Sequence, residues 1–145
     1  MKLEDFYFKM ALNTEPILDD TTLRDGIQMP GLAVKPKDAA RIAQLLSEIG
    51  VERIELFHYQ KPDKKAAKLI QKMNLNLRVA GWCRAVKEDI DSAIECGFNE
   101  VGISHPVSDI HFKAKWPEKS REQLLANVVE VVEYAAKTHG LRTFV

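Results

Sequence analysis

The chain has 145 residues, of which 46% are apolar and 29% charged, a composition typical of a single soluble globular domain. Lys and Arg number 21 and Asp and Glu number 21, so the net charge is zero. Recognition of nucleic acid or of an anionic membrane surface depends on bulk positive charge, so we expect neither as a partner.

The N-terminus and the cysteines bear on localisation. Met1 to Met10 lacks the basic start and apolar run of a secretory signal, and no apolar stretch approaches the roughly 18 residues that cross a bilayer. Cys83 and Cys96 have neither CxxC nor disulfide-framework spacing, so we expect a cytoplasmic protein.

Short apolar runs alternate with amphipathic runs along the chain. The pattern predicts strands near residues 17–20, 53–57, 77–82 and 100–104, with a fifth beginning at Leu141. It predicts helices from Pro36 to Gly50, from Lys61 past Met73, around Ile90 to Gly97, and from a Ser120–Gln123 capping box to near Gly140. Residues 105–119 are predicted to form a long loop.

A weak internal repeat supports this alternation. Segments 50–54, 97–101 and 140–144 each consist of a glycine, an apolar residue, two polar residues and an apolar residue. Each glycine can cap a helix before the chain enters the next strand. The alternation predicts parallel strands with helices outside, either in an open doubly wound sheet or in a closed barrel. A barrel needs roughly 250 residues, so this chain would supply about half of one.

The segment Asp19 to Gln28 has the highest density of polar groups, and it follows the first predicted strand. The C-terminal ends of strands carry the site in parallel α/β folds. Arg24 can stabilise an enolate or a carbonyl oxyanion, Asp25 can bind a hard cation, and Gln28 offers a donor and an acceptor. Alternatively, an Arg–Asp ion pair and a polar turn tie down the strand end.

Three other polar residues are candidates. Glu55 ends the second predicted strand, where it serves either the site or a structural salt bridge. Arg84 follows the third strand and can bind a substrate carboxylate bidentately or form a surface pair. His111 lies in the predicted loop, where a histidine is usually a surface residue.

The run Asp-Thr-Thr-Leu-Arg-Asp-Gly-Ile-Gln at residues 20–28 resembles the opening signature of the metal-dependent acyl-CoA condensing synthase and lyase superfamily. Its members include isopropylmalate, homocitrate and citramalate synthases and 3-hydroxy-3-methylglutaryl-CoA lyase, and carboxyltransferase domains are related. Further similar segments are Pro30-Gly31, 49–55, and Ser108 to His111 with the downstream residues 119–122, so that the resemblance covers residues 16–145.

The resemblance implies that residues 1–145 are the N-terminal half of a TIM (β/α)8 barrel, truncated at about the fifth strand. It implies a divalent metal (Mg, Mn or Zn), acetyl-CoA as co-substrate, a 2-oxo acid as acceptor, and a homodimer. It assigns enolate stabilisation to Arg24, the first metal ligand to Asp25, an acidic catalytic role to Glu55, and substrate contacts to Gln28 and His111. We add Arg84 as a substrate-binding candidate because of its position.

The chain also departs from the family pattern. Ile27 replaces the Glu or Gln usual in synthases and is closer to the lyases, whereas Thr21-Thr22 is closer to the synthases. Phe57-His58-Tyr59 replaces a common Gly-Phe-Pro run. The family's late His-x-His metal pair is missing, so we expect a longer enzyme to complete the site. The alternatives are a hydroxyacyl-CoA lyase, a carboxyltransferase-like aldolase, and a non-catalytic half-barrel that acts as a binding module.

Overall fold

The computed structural model describes residues 16–145, so the segment Met1 to Met10, predicted not to be a signal, lies outside the described residues. The strands are β1 (Asp19–Asp20), β2 (Arg53–Leu56), β3 (Arg78–Arg84), β4 (Glu100–Ser104) and β5 (Arg142–Phe144). The helices are α1 (Pro36–Glu48), α2 (Lys61–Lys72), α3 (Lys87–Glu95), α4 (Asp109–Lys115) and α5 (Arg121–Glu133). A 3-10 turn covers Gly26–Gln28, and a π-helical turn, Tyr134–Thr138, extends α5.

The five strands form one sheet in the order β1-β2-β3-β4-β5, and every neighbouring pair is parallel. Parallel neighbours need a crossover connection, which a helix supplies between each pair of strands here. The predicted α/β fold of parallel β/α units is therefore confirmed.

The sheet has two chemically different faces because successive side chains point to opposite sides of a strand. The outer face packs on the helices and forms the apolar core, with Ile54, Leu56, Cys83, Val101 and Ile103 packed on residues that include Ala43, Ala67, Ile90 and Ala93. The inner face, opposite the helices, carries Asp19, Arg53, Glu55, Trp82, Glu100, Gly102 and Phe144. The core is thus one-sided, and the other side of the sheet is polar and aromatic.

The three predicted glycine caps are confirmed. Gly50, Gly97 and Gly140 have φ values of 86°, 84° and 67°, a region that L-residues with a Cβ rarely adopt. The N–H of the apolar residue after each glycine donates back to a carbonyl of the preceding helical segment, as Val51 does to Leu46 at 3.0 Å. The chain is thereby directed from the helix end into the next strand.

The structure corrects three boundaries. The predicted loop 105–119 contains helix α4, which is capped by Ser108 accepting a hydrogen bond from the His111 N–H at 3.3 Å and buries Phe112. Strand β3 begins at Arg78 and runs to Arg84, so Arg84 ends the strand instead of following it. Strand β1 is only Asp19–Asp20, shorter than predicted. The sequence signal for α4 was weak because a seven-residue helix with a single buried residue shows no apolar periodicity.

Gly102 lies on the inner face where there is no room for a side chain. A Cβ there would lie 2.7 Å from ring atoms of both Phe144 and Trp82. We expect Gly102→Ala to lower the free energy of unfolding by about 1–3 kcal/mol, as overpacking does, measured by denaturant titration. Gly26→Ala is the control, because its Cβ would meet nothing closer than Thr22 Cγ2 at 3.7 Å. Equal effects of the two substitutions would contradict the prediction.

Candidate active site

The turn after β1 is built by backbone hydrogen bonds to one carbonyl. The N–H groups of Arg24, Asp25 and Gly26 donate to the Thr21 oxygen at 3.0, 2.8 and 3.1 Å. The Asp20 carboxylate accepts from the Thr22 N–H at 2.9 Å. The bend that follows β1 therefore begins at Thr21. Gly26 is not among the positive-φ residues of the described chain, so side-chain and backbone hydrogen bonds make this turn.

Arg24 is held from three sides. Its Nε donates to Glu55 Oε2 at 2.7 Å, its guanidinium lies over the Trp82 ring at 4.2 Å, and a terminal nitrogen approaches Asp25 Oδ1 at 3.1 Å. The Arg24 side chain is only 19% exposed. The structure therefore brings together Arg24, Asp25 and Glu55, and a fixed, half-buried guanidinium suits the stabilisation of a developing negative charge. Their catalytic and metal-binding roles stay predictions.

Glu55 is buried on the inner face and is the anchor for Arg24. Burial raises the pKa of the Glu55 carboxyl, and the neighbouring Asp19 carboxylate raises it further, against the lowering effect of Arg24. The structural salt bridge that we held as the alternative is present, since Glu55 pairs with Arg24 and its side chain is only 4% exposed. The catalytic role of Glu55 stays a prediction.

Asp25 and Gln28 lie at the rim of the same turn. The Asp25 side chain is 64% exposed, and its backbone carbonyl accepts from the Gln28 N–H at 3.0 Å. Gln28 is also exposed. A hard cation prefers about six oxygen ligands, whereas residues 16–145 contain no group of three His, Cys, Asp or Glu that could hold a metal ion. These residues alone do not fit a complete metal site, and Asp25 is a single candidate ligand.

Arg84 forms a bidentate ion pair with the buried Asp89. Its Nε and a terminal nitrogen donate to the two Asp89 oxygens at 2.9 and 2.8 Å, and its own N–H donates to Asp89 Oδ2 at 2.8 Å. Burial alone would raise the pKa of Asp89, but the Arg84 hydrogen bonds outweigh it and lower that pKa. This is the pairing that we held as the alternative, and substrate binding by Arg84 stays a prediction.

A cleft of about 420 Å³ opens at the C-terminal ends of β3 and β4 and is bordered by α4 and α5. Its lining combines three cationic residues, Arg84, Lys115 and Lys119, with the aromatic rings of Trp82 and Trp116. His105, to which we assigned no role, also lines this cleft, and its ring stacks on Trp116 at 5.1 Å. The sequence did not predict this cleft, because helix α4, which positions Lys115, was not predicted.

His111 is exposed in the first turn of α4 and is not among the residues that line this cleft. No contact of its side chain with Arg24 or Glu55 is found among residues 16–145, and its substrate role stays a prediction.

A second ionic group on the inner face was missed by sequence reasoning. Arg53 donates to Asp19 Oδ2 at 2.7 Å and to Glu100 Oε1 at 2.8 Å, and its guanidinium lies over the Phe144 ring at 4.1 Å. Arg78 approaches the other Glu100 oxygen at 3.5 Å. The signal was present, because Arg53 and Glu100 occupy the same position of the glycine repeat. The network links β1 to β4 across the inner face.

The chain is a parallel β/α sheet with Arg24, Asp25 and Glu55 clustered at the C-terminal ends of its first strands, the edge at which parallel α/β folds carry their sites. The HMGL-like family model matches residues 15–143, so the chain belongs to the HMGL-like family. The predicted resemblance is thereby confirmed. Among residues 16–145, none of the helices has the length and apolar composition needed to span a bilayer.

Curated relatives are synthases. The chain is 42% identical over 124 residues to the (R)-citramalate synthase of Methanocaldococcus jannaschii, covering 84% of the chain and 25% of that protein. It is 39% identical over 146 residues to the 2-isopropylmalate synthase of the same organism, covering 96% and 28%. It is 40% identical over 124 residues to a homocitrate synthase of M. jannaschii, covering 84% of the chain and 30% of that protein. The chain thus spans about a quarter of the length of these relatives.

Two solved structures share the fold. A 3-hydroxy-3-methylglutaryl-CoA lyase from Acinetobacter baumannii, in complex with coenzyme A and 3-methylmalate, matches with a TM-score of 0.68 and 18% identity, covering 88% of this chain and 43% of that one. The lyase of Bacillus subtilis matches with a TM-score of 0.70 and 21% identity, covering 90% and 45%. At these identities the likeness concerns the fold alone, and it covers less than half of each lyase chain.

Proposed function

We propose that the whole protein condenses acetyl-CoA with a 2-oxo acid in a Claisen-type reaction, as a divalent-metal-dependent synthase of the isopropylmalate, homocitrate and citramalate type. The observation that carries the proposal is the Arg24 guanidinium fixed between Glu55 at 2.7 Å and the Trp82 ring at 4.2 Å, at the mouth of the sheet. The relatives of 39–42% identity bear the names of such synthases.

The residues of this chain would stabilise the charge that develops on the substrate and hold Arg24 in place. When the acetyl methyl group loses a proton and attacks the ketone carbon, negative charge develops on oxygen, and Arg24 stabilises it with a guanidinium that needs no reorganisation. Glu55 orients Arg24 through the Nε hydrogen bond. A divalent metal, when bound, supplies Lewis-acid polarisation, and Asp25 is the one ligand that these residues offer.

Both proposed substrates, the 2-oxo acid and the acyl-CoA, are anions, and the rim of the site carries cationic side chains that suit them. The cleft with Arg84, Lys115 and Lys119 gives the phosphate groups of an acyl-CoA a cationic surface, and Trp116 gives its adenine a stacking partner. Gln28 and His111 remain candidates for contacts with the acceptor acid. We further propose a homodimer, which is what the resemblance to the synthases implies.

The second candidate is a hydroxyacyl-CoA lyase, which runs nearly the same chemistry in reverse. Ile27 favours it because an apolar residue stands between Gly26 and Gln28, as in the lyases. A carboxyltransferase-like aldolase is a further variant of that chemistry. A non-catalytic half-barrel is the alternative of another class, since the described residues supply a single candidate metal ligand.

The direct test is an assay of the full-length protein with Mg²⁺, Mn²⁺ or Zn²⁺, acetyl-CoA and a panel of 2-oxo acids. The synthase proposal expects release of free coenzyme A thiol that depends on both the metal and one acceptor acid. Cleavage of a hydroxyacyl-CoA without condensation would favour the lyase. Absence of both activities in a folded, metal-loaded protein would favour the binding module.

A further inference from the structure

The Asp19 carboxylate on the inner face has one oxygen that no hydrogen bond explains. Its Oδ2 accepts from Arg53 at 2.7 Å, whereas Oδ1 is buried and has no hydrogen-bond partner. Buried carboxylate oxygens nearly always accept a hydrogen bond, so a donor is missing at this point.

The nearest chemical candidate for that donor is Glu55. Asp19 pairs in register with Arg53, and Glu55 lies two residues further along β2, so both carboxyl groups point to the inner face. Glu55 uses Oε2 to accept from Arg24 and is buried. Burial raises the pKa of the Glu55 carboxyl, and the Asp19 carboxylate raises it further. Two adjacent carboxylates, of which Glu55 is buried and Asp19 half-buried, disfavour being ionised together.

We propose that Asp19 and Glu55 share a single proton, which supplies the missing hydrogen bond to Asp19 Oδ1. In this arrangement the Glu55 carboxyl donates its O–H to Asp19 and still accepts from Arg24 through Oε2. The proton then belongs to the pair and not to either carboxyl group alone.

The shared proton changes the charge of the inner face. The charged groups that face the pair are Arg24 from the turn and Arg53 from β2, and the network continues to Arg78 and Glu100. Arg24, Arg53 and Arg78 face four carboxyl groups, because Arg24 also pairs with Asp25 at 3.1 Å. One bound proton therefore brings this cluster from one net negative charge to neutrality. The loss of that negative charge beside Arg24 favours binding of an anionic 2-oxo acid there.

Asp19 is therefore a positioning residue, because it acts through Glu55 on the charge around Arg24. This functional consequence rests on the proposed condensation, whereas the shared proton itself does not. The two can be tested separately, by titration of the carboxyl groups and by the dependence of turnover on pH.

The titration uses the protein with carbon-13-labelled Asp and Glu side chains, with Glu55→Gln to assign the Glu55 signal. We expect Glu55 to titrate at a higher pH than an ordinary glutamate, and the Asp19 carbon to respond in the same step. Asp19→Asn should lower the Glu55 midpoint by about one pH unit or more, because an amide can donate to the ionised carboxylate. Asp20→Asn is the matched control, since Asp20 accepts from Thr22 and should leave the Glu55 midpoint unchanged.

Two results would overturn the shared proton. One is a wild-type Glu55 that titrates like an ordinary glutamate and independently of Asp19, a measurement that needs no variant to fold. The other is an unchanged Glu55 midpoint in a folded Asp19→Asn variant.

The pH dependence of stability has a definite sign. A raised pKa of Glu55 means that the folded state holds this proton more tightly than the unfolded chain. Stability contributed by the proton is present below the ordinary glutamate pKa and is lost as the pH rises through the raised value. Asp19→Asn should flatten this part of the curve.

Turnover measurements then distinguish a failure of the shared proton from a failure of the proposed function. In an active enzyme, Asp19→Asn should raise KM for the 2-oxo acid more than it lowers kcat, and should shift the basic limb of the pH profile to lower pH. A shifted Glu55 titration with no condensing activity would retain the proton pair and reject the synthase. Unchanged KM and pH profile in an active variant would reject the positioning role.

Discussion

Replacing Arg24 with alanine should lower kcat by about 10²–10³ while leaving metal affinity nearly unchanged, as the loss of one oxyanion-stabilising group typically does. The physical reason is its fixed position: Glu55 and Trp82 hold the guanidinium before any charge develops. Asp25→Asn should act differently, because it removes a charged oxygen ligand at an exposed position. Its activity should recover in part at high metal concentration.

Metal titration of both variants in the full-length protein, followed by turnover with acetyl-CoA and the acceptor acid, makes the comparison. Arg121→Ala is the control for loss of an arginine as such, because Arg121 pairs with Asp109 at the surface and is 47% exposed. Near-normal kcat in Arg24→Ala with its true substrate would show that the motif is structural here, and the synthase proposal would fail at its centre.

Replacing Arg53 with methionine should lower the free energy of unfolding by about 3–5 kcal/mol, the range measured when one partner of a buried ion pair is removed. The Arg53 side chain is 15% exposed and pairs with Asp19 and Glu100, of which Glu100 is 6% exposed. Methionine retains much of the packing on Phe144. The loss therefore comes mainly from Asp19, which is left without this cation, and from Glu100, which keeps only Arg78 at 3.5 Å. Denaturant unfolding with unchanged m-values would measure it.

Arg41→Met is the matched control, because Arg41 pairs with Glu48 on the surface of α1 with both side chains more than half exposed. Exposed pairs contribute about 0–1 kcal/mol, so this substitution should be nearly neutral. The double variant Arg53→Met with Glu100→Gln should be less unstable than the two single effects added together, because one of the uncompensated charges is gone. An Arg53→Met effect as small as that of Arg41→Met would show that water compensates the inner-face network.

Much of the fold could be predicted from local sequence. Helical spacing of apolar residues, Pro36 at a helix start and the glycines at helix ends specify elements through contacts within a few residues. Helix α4 was missed because its seven residues depend on one serine cap and one buried phenylalanine, which give no period to detect. The bend in the motif had no sequence signal, because hydrogen bonds to Thr21 produce it without a positive-φ glycine.

By itself the sequence determined the parallel β/α architecture, the family, and the segment in which Arg24 and Asp25 lie. Only the tertiary structure decided the partners: Glu55 for Arg24, Asp89 for Arg84, and the Asp19–Arg53–Glu100 network. The reason is physical. Periodicity reports which face of its own element a side chain occupies, whereas a partner 31 or 47 residues away depends on how the strands pair in register.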